Sequence, residues 1–264
     1  MGSLTSFETG PQSATTMTTE TIDPVTSFSR RVLYEDNHLI VINKQSSEIV
    51  QGDKTGDMPL SDIVKAYIRA KYNKPGDAFL GVAHRLDRPV SGAVIFARTS
   101  KGLTRINEML KNYELKKLYW AVVRNLPPEA EGTLEHYLKK NEKQNKSYPV
   151  RPDVDGAKKA ILNYKMLGSG NHYHLLEIEL QTGRHHQIRS QLSAIGCPVR
   201  GDLKYGYPRS NSNGGIHLHA REVDFIHPVS KERVRVVAPT PAGDSLWECF
   251  EELVKGLNVA SLNC

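Results

Sequence analysis

An α+β fold around a largely antiparallel or mixed sheet is predicted by three features of the sequence. Strand-like segments come in runs, only a few helical segments separate them, and no strict strand–helix alternation of the parallel-sheet kind is present. With 264 residues, the chain is long enough to bury a substantial core.

Taken in order, residues 1–28 stand apart. They are rich in Thr and Ser, lack Lys and Arg, and show no apolar periodicity, which predicts a flexible tail ahead of one folded unit over 29–264. Residues 32–35, a turn at Asp36-Asn37 and residues 38–44 read as two strands joined by a turn. Pro59 opens a helix with Leu60, Ile63, Val64, Tyr67 and Ile68 on one face, and Lys74-Pro75-Gly76 ends it. A strand over 93–98 follows. Ser100 is then expected to cap a helix whose stripe is Leu103, Ile106, Leu110 and Tyr113. Strands are predicted at 118–124, 133–138, 158–167 and 173–180, then a helix over 184–195 stopped by Gly196 and Pro198. Two last strands fall at 217–226 and 233–238. The stretch 139–159 carries seven Lys or Arg against three acids and reads as a loop, either solvated or touching RNA phosphates.

Charge and cysteine usage narrow the class. The first 28 residues hold Glu8, Glu20 and Asp23 and nothing basic, so the net charge of +6 becomes +9 on the remainder. A basic domain of this kind suits a polyanion, most often nucleic acid. Three cysteines without paired spacing, Cys197, Cys249 and Cys264, predict neither disulfides nor a zinc ribbon and point to a reducing cytosol. No apolar run approaches the roughly 18 residues of a membrane span and no signal peptide opens the chain, so a cytoplasmic location with no membrane partner is expected.

The most informative segment is His84-Arg85-Leu86-Asp87-Arg88-Pro89-Val90-Ser91-Gly92. It sets one carboxylate among arginines just before the strand-like run 93–97. Positive neighbours favour the ionised form. An ionised Asp on a turn at the mouth of a strand serves as nucleophile, base or capping group. Nine residues alone leave a structural ion pair equally open.

Four segments together resemble a known family: Val41-Ile42-Asn43-Lys44, the Asp87 run, 116–123 (Lys-Lys-Leu-Tyr-Trp-Ala-Val-Val) and 181–189 (Gln-Thr-Gly-Arg-His-His-Gln-Ile-Arg). With the trailing 196–202 and Leu218-His219-Ala220, their order and spacing are similar to those of the RluA-type pseudouridine synthases over about residues 30–240. The resemblance implies the pseudouridine synthase fold, a long mixed and mainly antiparallel sheet with flanking helices and a central active-site cleft. It implies isomerisation of uridine in ribosomal or transfer RNA, ribosomal RNA being the more frequent role, without metal or cofactor; a monomer is the default expectation, since no feature of the sequence sets the oligomeric state. Asp87 takes the place of the catalytic aspartate, acting at C1′ or on the C2′ proton. Tyr119 matches the tyrosine that packs beneath the base and is expected to help remove the C5 proton, and Arg189 matches the arginine paired with the aspartate, a pairing expected to be bidentate. Arg85 is expected to fill the gap left by the extruded nucleotide, since C1′ and N1 are out of reach inside a helix. His84, Arg184, His185, Gln187 and Leu218 are expected to support RNA or substrate, three of them at the phosphate-attracting start of the 184–195 helix. Val90 stands where the family pattern usually has Thr, which predicts a packing change. The 28-residue tail is too short for the S4-type RNA-binding domain of some relatives, so substrate selection falls to the catalytic domain.

Other chemistries fit less well. His185, His186, His217, His219 and Cys197 could be recruited to zinc, but no HExxH or CxxC spacing is present. A glycosidase would need a second carboxylate as general acid. A non-catalytic RNA-binding protein retaining the fold is the remaining alternative, although a binder has no need of Asp87, Tyr119 and Arg189 together.

Overall fold

A computed structural model describes residues 24–73 and 75–256. The tail expected over 1–28 therefore lies mostly outside the described residues, but its last part is ordered: α1 (Pro24–Ser29) packs Phe28 on Tyr67 with ring centroids 5.3 Å apart.

Eleven strands of one sheet are found among the described residues. They are β1 (Val32–Glu35), β2 (Leu39–Lys44), β3 (Gly81–Val82), β4 (Ser91–Ala97), β5 (Lys116–Val123), β6 (Glu131–Asn141), β7 (Lys146–Val150), β8 (Lys158–Ser169), β9 (His174–Leu180), β10 (Leu218–Ile226) and β11 (Arg233–Val237). The order along the sheet is β1-β2-β4-β10-β5-β9-β8-β6-β7, with β3 on β4 and β11 on β10. Every pairing is antiparallel except β4 with β10, in the register His219 to Ser91 and Ala220 to Gly92. The mixed, mainly antiparallel α+β sheet is as expected.

Both faces of the central strands are covered, which is why they read as continuous apolar runs. Along β2 and β4 the alternation of period two sends Ile40, Ile42, Val94 and Phe96 to one core. Leu39, Val41, Ala93 and Ile95 go to the other, against Ile106 and Met109. The first core is closed by α2 (Leu60–Lys71), through Leu60, Val64, Tyr67 and Ile68, and by Ile188 and Leu192 of α4 (Gln187–Ala194). The second is closed by α3 (Ser100–Lys111). A third cluster forms where Trp120 and Val122 of β5 meet Leu246, Trp247 and Phe250 of α5 (Ser245–Val254).

Several expectations are corrected. The cap of α3 is Thr99, whose hydroxyl accepts from the Gly102 N–H, while Ser100 is the first helical residue; Tyr113 lies beyond the helix and is exposed. The basic stretch 139–159 is not one loop: the end of β6, the whole of β7 and the start of β8 run through it as paired strands, joined by turns at 142–145 and 151–157. The helix expected over 184–195 begins only at Gln187. Cys249 is disulfide-bonded, against the expectation of unpaired cysteines. Cys197 is free and buried, and Cys264 lies outside the described residues. An odd count without spacing carried no pairing signal, and cysteine usage therefore says nothing about compartment. No helix among the described residues is long and apolar enough to cross a membrane.

Candidate active site

Asp87 lies on the irregular segment between β3 and β4, at the end of the sheet where β4 and β10 run parallel. The segment is shaped by a buried cation. Lys44, at the end of β2 and only 1% exposed, directs its ammonium at the carbonyls of Gln45 (3.0 Å), Asp87 (3.3 Å), Arg88 (3.0 Å) and Val90 (2.6 Å). Burial pushes Lys44 down to about 7, with Glu48 and then Asp87 opposing the shift. A turn closed by the Val90 N–H on the Asp87 carbonyl (3.0 Å) completes the bend. Gly92 follows with φ +114°, and a Cβ there would lie 2.3 Å from the Ala220 carbonyl oxygen, so the parallel junction requires glycine at this position.

The carboxylate itself is partly exposed (30%) and is held from α4. Arg189 Nη1 donates to Asp87 Oδ2 at 3.0 Å. The fork of the same guanidinium is directed elsewhere: Nε and Nη2 donate to the two oxygens of Asp202 at 2.7 and 2.9 Å. Arg189 (4% exposed) and Asp202 (1% exposed) are both buried. Burial alone would disfavour the Arg189 charge, but the hydrogen bonds and charge of Asp202, then those of Asp87, hold its pKa above the usual range. The expected Asp87–Arg189 pair is present, while the bidentate partner is Asp202. Arg88, expected beside Asp87, pairs with Asp57 and Thr55 instead.

Tyr119 from β5, Leu218 from β10, Val90, Leu180 and Ile188 line the pocket in front of Asp87, together with Arg85, Arg184 and Gln187. Burial, then the Asp87 charge, raises the Tyr119 hydroxyl well above its usual range and keeps it protonated. Val90 is buried in the same apolar cluster as Tyr119 and Leu218, so its side chain packs where a hydroxyl would need a partner. Arg85 is exposed and lines both this pocket and the adjoining groove of Arg88, Lys140, His185 and Lys204.

The remaining expected residues separate. His84 does not line the Asp87 pocket. Its Nε2 accepts the Ile95 N–H at 3.1 Å, and burial, helped by Lys117, pushes its pKa down to about 3. It borders a second groove with Lys116, Lys117 and Arg184, which meets the Asp87 pocket at Leu180 and Arg184. Gln187 is spent on shape: its oxygen accepts from the Arg184 N–H (2.9 Å) and the Thr182 hydroxyl (2.8 Å), and its amide donates to the Ile161 carbonyl (3.0 Å). That brace keeps 182–186 out of the helix. Arg184 Nε donates to the Lys159 carbonyl. His185 Nδ1 lies 2.8 Å from the Ser147 hydroxyl. Two residues at the site were missed. His186, weighed only as a zinc ligand, places Nε2 3.4 Å from Asp87 Oδ2. Asp202 lay inside a quoted segment without a role; a lone acid far along the chain gives no signal of its partner. His217 and His219 turn to other partners, Asp244 and Ser91.

The site thus combines a carboxylate held by a buried arginine, a pocket walled by one aromatic and several aliphatic side chains, and basic grooves on two sides. The family model described as RNA pseudouridylate synthase matches residues 38–194, and the chain belongs to that family. It is 33% identical over 214 residues to an uncharacterized RNA pseudouridine synthase of Synechocystis, covering 80% of this chain and 65% of that one. It is 32% identical over 221 residues to the ribosomal large subunit pseudouridine synthase C of Buchnera aphidicola, covering 81% and 68%. The chain thus spans about two thirds of the length of these curated relatives. Among solved structures, human RNA pseudouridylate synthase domain containing 4 superposes with a TM-score of 0.70 at 22% identity, over 88% of this chain and 95% of that chain, and shows the same fold.

Proposed function

We propose that this chain isomerises specific uridines in RNA to pseudouridine, with Asp87 as the catalytic aspartate. The observation that carries the proposal is the Asp87–Arg189 contact of 3.0 Å, facing a pocket walled by Tyr119 and Leu218. N1–C1′ breaks, the base turns, C5 joins C1′, and the proton lost from C5 is balanced by one taken up at N1; composition and oxidation state are unchanged, so the reaction calls for no external oxidant, reductant or group donor. Asp87 acts through Oδ1, either on C1′ or on the C2′ proton, while Arg189 fixes the orientation of its carboxylate. Tyr119, held protonated, supports the base as a packing surface rather than as a phenolate. Leu218 forms part of the same wall. Arg85 takes the place vacated by the extruded nucleotide, and the grooves bearing Arg88, Lys140 and Lys204 on one side and Lys117 and Arg184 on the other receive the strand that flanks it.

Ribosomal RNA is the favoured substrate, in keeping with the name of the Buchnera relative. The folded part, with Phe28 packed into its core, acts as one catalytic unit, monomeric and in the cytoplasm.

The test is pseudouridine mapping of total RNA from cells with and without the gene, complemented by wild type or by Asp87→Asn. A site lost on deletion and restored only by wild type identifies enzyme and target together. An unchanged map, with stable RNA binding by the pure protein, makes the chain a binding module.

A further inference from the structure

We infer that His186 is a positioning residue for Asp87, its imidazole aimed at the carboxylate from the end of a chain of hydrogen bonds that is anchored at Ser147 in the basic β6–β7 hairpin. This rests on the reading of Asp87 as the catalytic aspartate.

The chain can be followed atom by atom. Ser147 lies in β7, across the hairpin from Lys140. Its N–H donates to the Tyr205 hydroxyl at 2.9 Å. Its carbonyl accepts from Ser190 Oγ at 3.1 Å and lies 3.2 Å from the Tyr205 hydroxyl. That hydroxyl is 2.9 Å from His186 Nδ1, and His186 Nε2 is 3.4 Å from Asp87 Oδ2. The imidazole is clamped on both sides: His185 stacks on it at 3.8 Å and 19°, and Tyr205 meets it edge-on at 5.6 Å and 75°. His185 is itself tied back to Ser147 by its Nδ1. His186 also adopts a left-handed backbone, φ 53°, an uncommon conformation for a residue with a side chain that persists where surrounding structure enforces it.

Counting protons gives the direction of the chain. Burial keeps His186 neutral near pH 7, so its ring carries one N–H. The Tyr205 hydroxyl already accepts from Ser147 N–H and has one proton to give, with His186 Nδ1 the nearer of its two acceptors. Donation there leaves the imidazole proton on Nε2, facing Asp87 Oδ2. Arg189 Nη1 donates to that same oxygen. Arg189 holds Oδ2 and the imidazole Nε2 faces the same oxygen from 3.4 Å, an arrangement that sets the rotation of the carboxylate and leaves Oδ1 without a donor among the described residues. The last link is longer than a formed hydrogen bond, as is common before substrate closes a catalytic site. The far end of the chain lies in a hairpin whose Lys140 lines the groove beside Asp87, so RNA seated there acts on the element that carries Ser147.

The test compares Tyr205→Phe, His186→Leu and His186→Gln with wild type in single-turnover reactions on total RNA from cells lacking the gene. Enzyme concentration is varied to separate maximal rate from half-saturation. Gln offers an N–H near the Nε2 position and shares with Leu the same backbone cost, so the pair isolates the donor. The maximal rate is expected to fall about 100-fold in His186→Leu and about tenfold in Tyr205→Phe, with half-saturation within about twofold, and His186→Gln is expected to recover to within about threefold of wild type. Thermal melts that match wild type confirm that the variants are folded. Equal rates in His186→Gln and His186→Leu, or a change in half-saturation at constant maximal rate, overturn the inference while leaving Asp87 in place. A wild-type protein that forms no pseudouridine overturns the proposed function itself.

Discussion

Arg189 divides its five donors unequally between two carboxylates, and the division assigns different work to each. Asp202 takes the rigid fork and is buried with it, so it holds the arginine; Asp87 takes a single bond and keeps an oxygen toward the cleft. Removing the anchor strands a buried guanidinium. Asp202→Ala is therefore expected to lose about 3–5 kcal/mol of stability in urea denaturation, whereas Asp87→Asn, at a more exposed position, is expected to cost less than about 1 kcal/mol. Similar losses in the two variants would refute the division. Lys44 plays the corresponding part for the main chain. Lys44→Met leaves four carbonyls without their cation and is expected to lower stability by about 2–4 kcal/mol. Its turnover should fall with no change in RNA affinity. A turnover equal to wild type would show that the bend before β4 holds its shape unaided. At this scale the sequence was informative where residues are near one another in the chain or belong to a recurring pattern. Asp87, Tyr119 and Arg189 do meet in the structure. Arg88 turning to Asp57, and Asp202 claiming the fork of Arg189, depend on loops folding back across the sheet, which spacing does not encode.

Among the elements, β4 and β10 carry the tightest geometric demand. Gly92→Ala would press a methyl group into the Ala220 backbone at a positive φ, so a loss of about 3 kcal/mol or more and a collapse of activity are expected. A Gly92→Ala protein with a wild-type melting temperature would disprove the close approach. The β6–β7 hairpin makes a softer contribution. Lys140→Gln combined with Lys204→Gln is expected to weaken RNA binding and to lower the slope of log affinity against log salt by about 1.4–1.8, with the single-turnover rate at saturation unaltered. An unchanged slope would place the strand elsewhere. The elements that were legible had clean periodicity, such as α2 and the strands β2, β4 and β5. β7 was hidden because its five residues, Lys146 to Val150, include Lys146 and Pro149 and show no apolar alternation, although Ser147 is buried. The first turn of the expected 184–195 helix was lost to the Gln187 brace, whose bond to the Ile161 carbonyl reaches across the fold while those to Arg184 and Thr182 are local. α5 did carry a local signal, Asp244 accepting from Leu246 and Trp247 N–H ahead of an apolar stripe, and it was passed over.

For the molecule as a whole, three histidines, His186 and His219 buried and His84 half-buried, share one pH response. Burial lowers His84 and His186 to about 3 and His219 to about 4. The unfolded chain takes up protons on these rings from near pH 6.5 downward, while the folded protein does not until pH 3–4. Stability contributed by the neutral rings is therefore complete above pH 6.5 and lost as pH falls through that window, at up to about 1.4 kcal/mol per pH unit per histidine. Urea midpoints are expected to drop between pH 7 and pH 5, and a flat profile would mean that these rings titrate alike in both states. The fold class was legible because runs of strands with few helices leave little choice of architecture. The order of strands was not, since β10 reaches back past several other strands to pair Ala220 with Gly92 and Leu218 with Ala121.

That order has a consequence for synthesis on the ribosome. β10 is made near the end of the chain yet lies between β4 and β5. Until residues 218–226 emerge, the nascent chain can assemble only two separate half-sheets, each with a bare hydrogen-bonding edge at the position where the other must join. The wall that Leu218 contributes arrives with that same strand. The protein acquires its catalytic pocket and closes its most sticky edges in one late event, so a chain released early is both inactive and prone to pair with its neighbours.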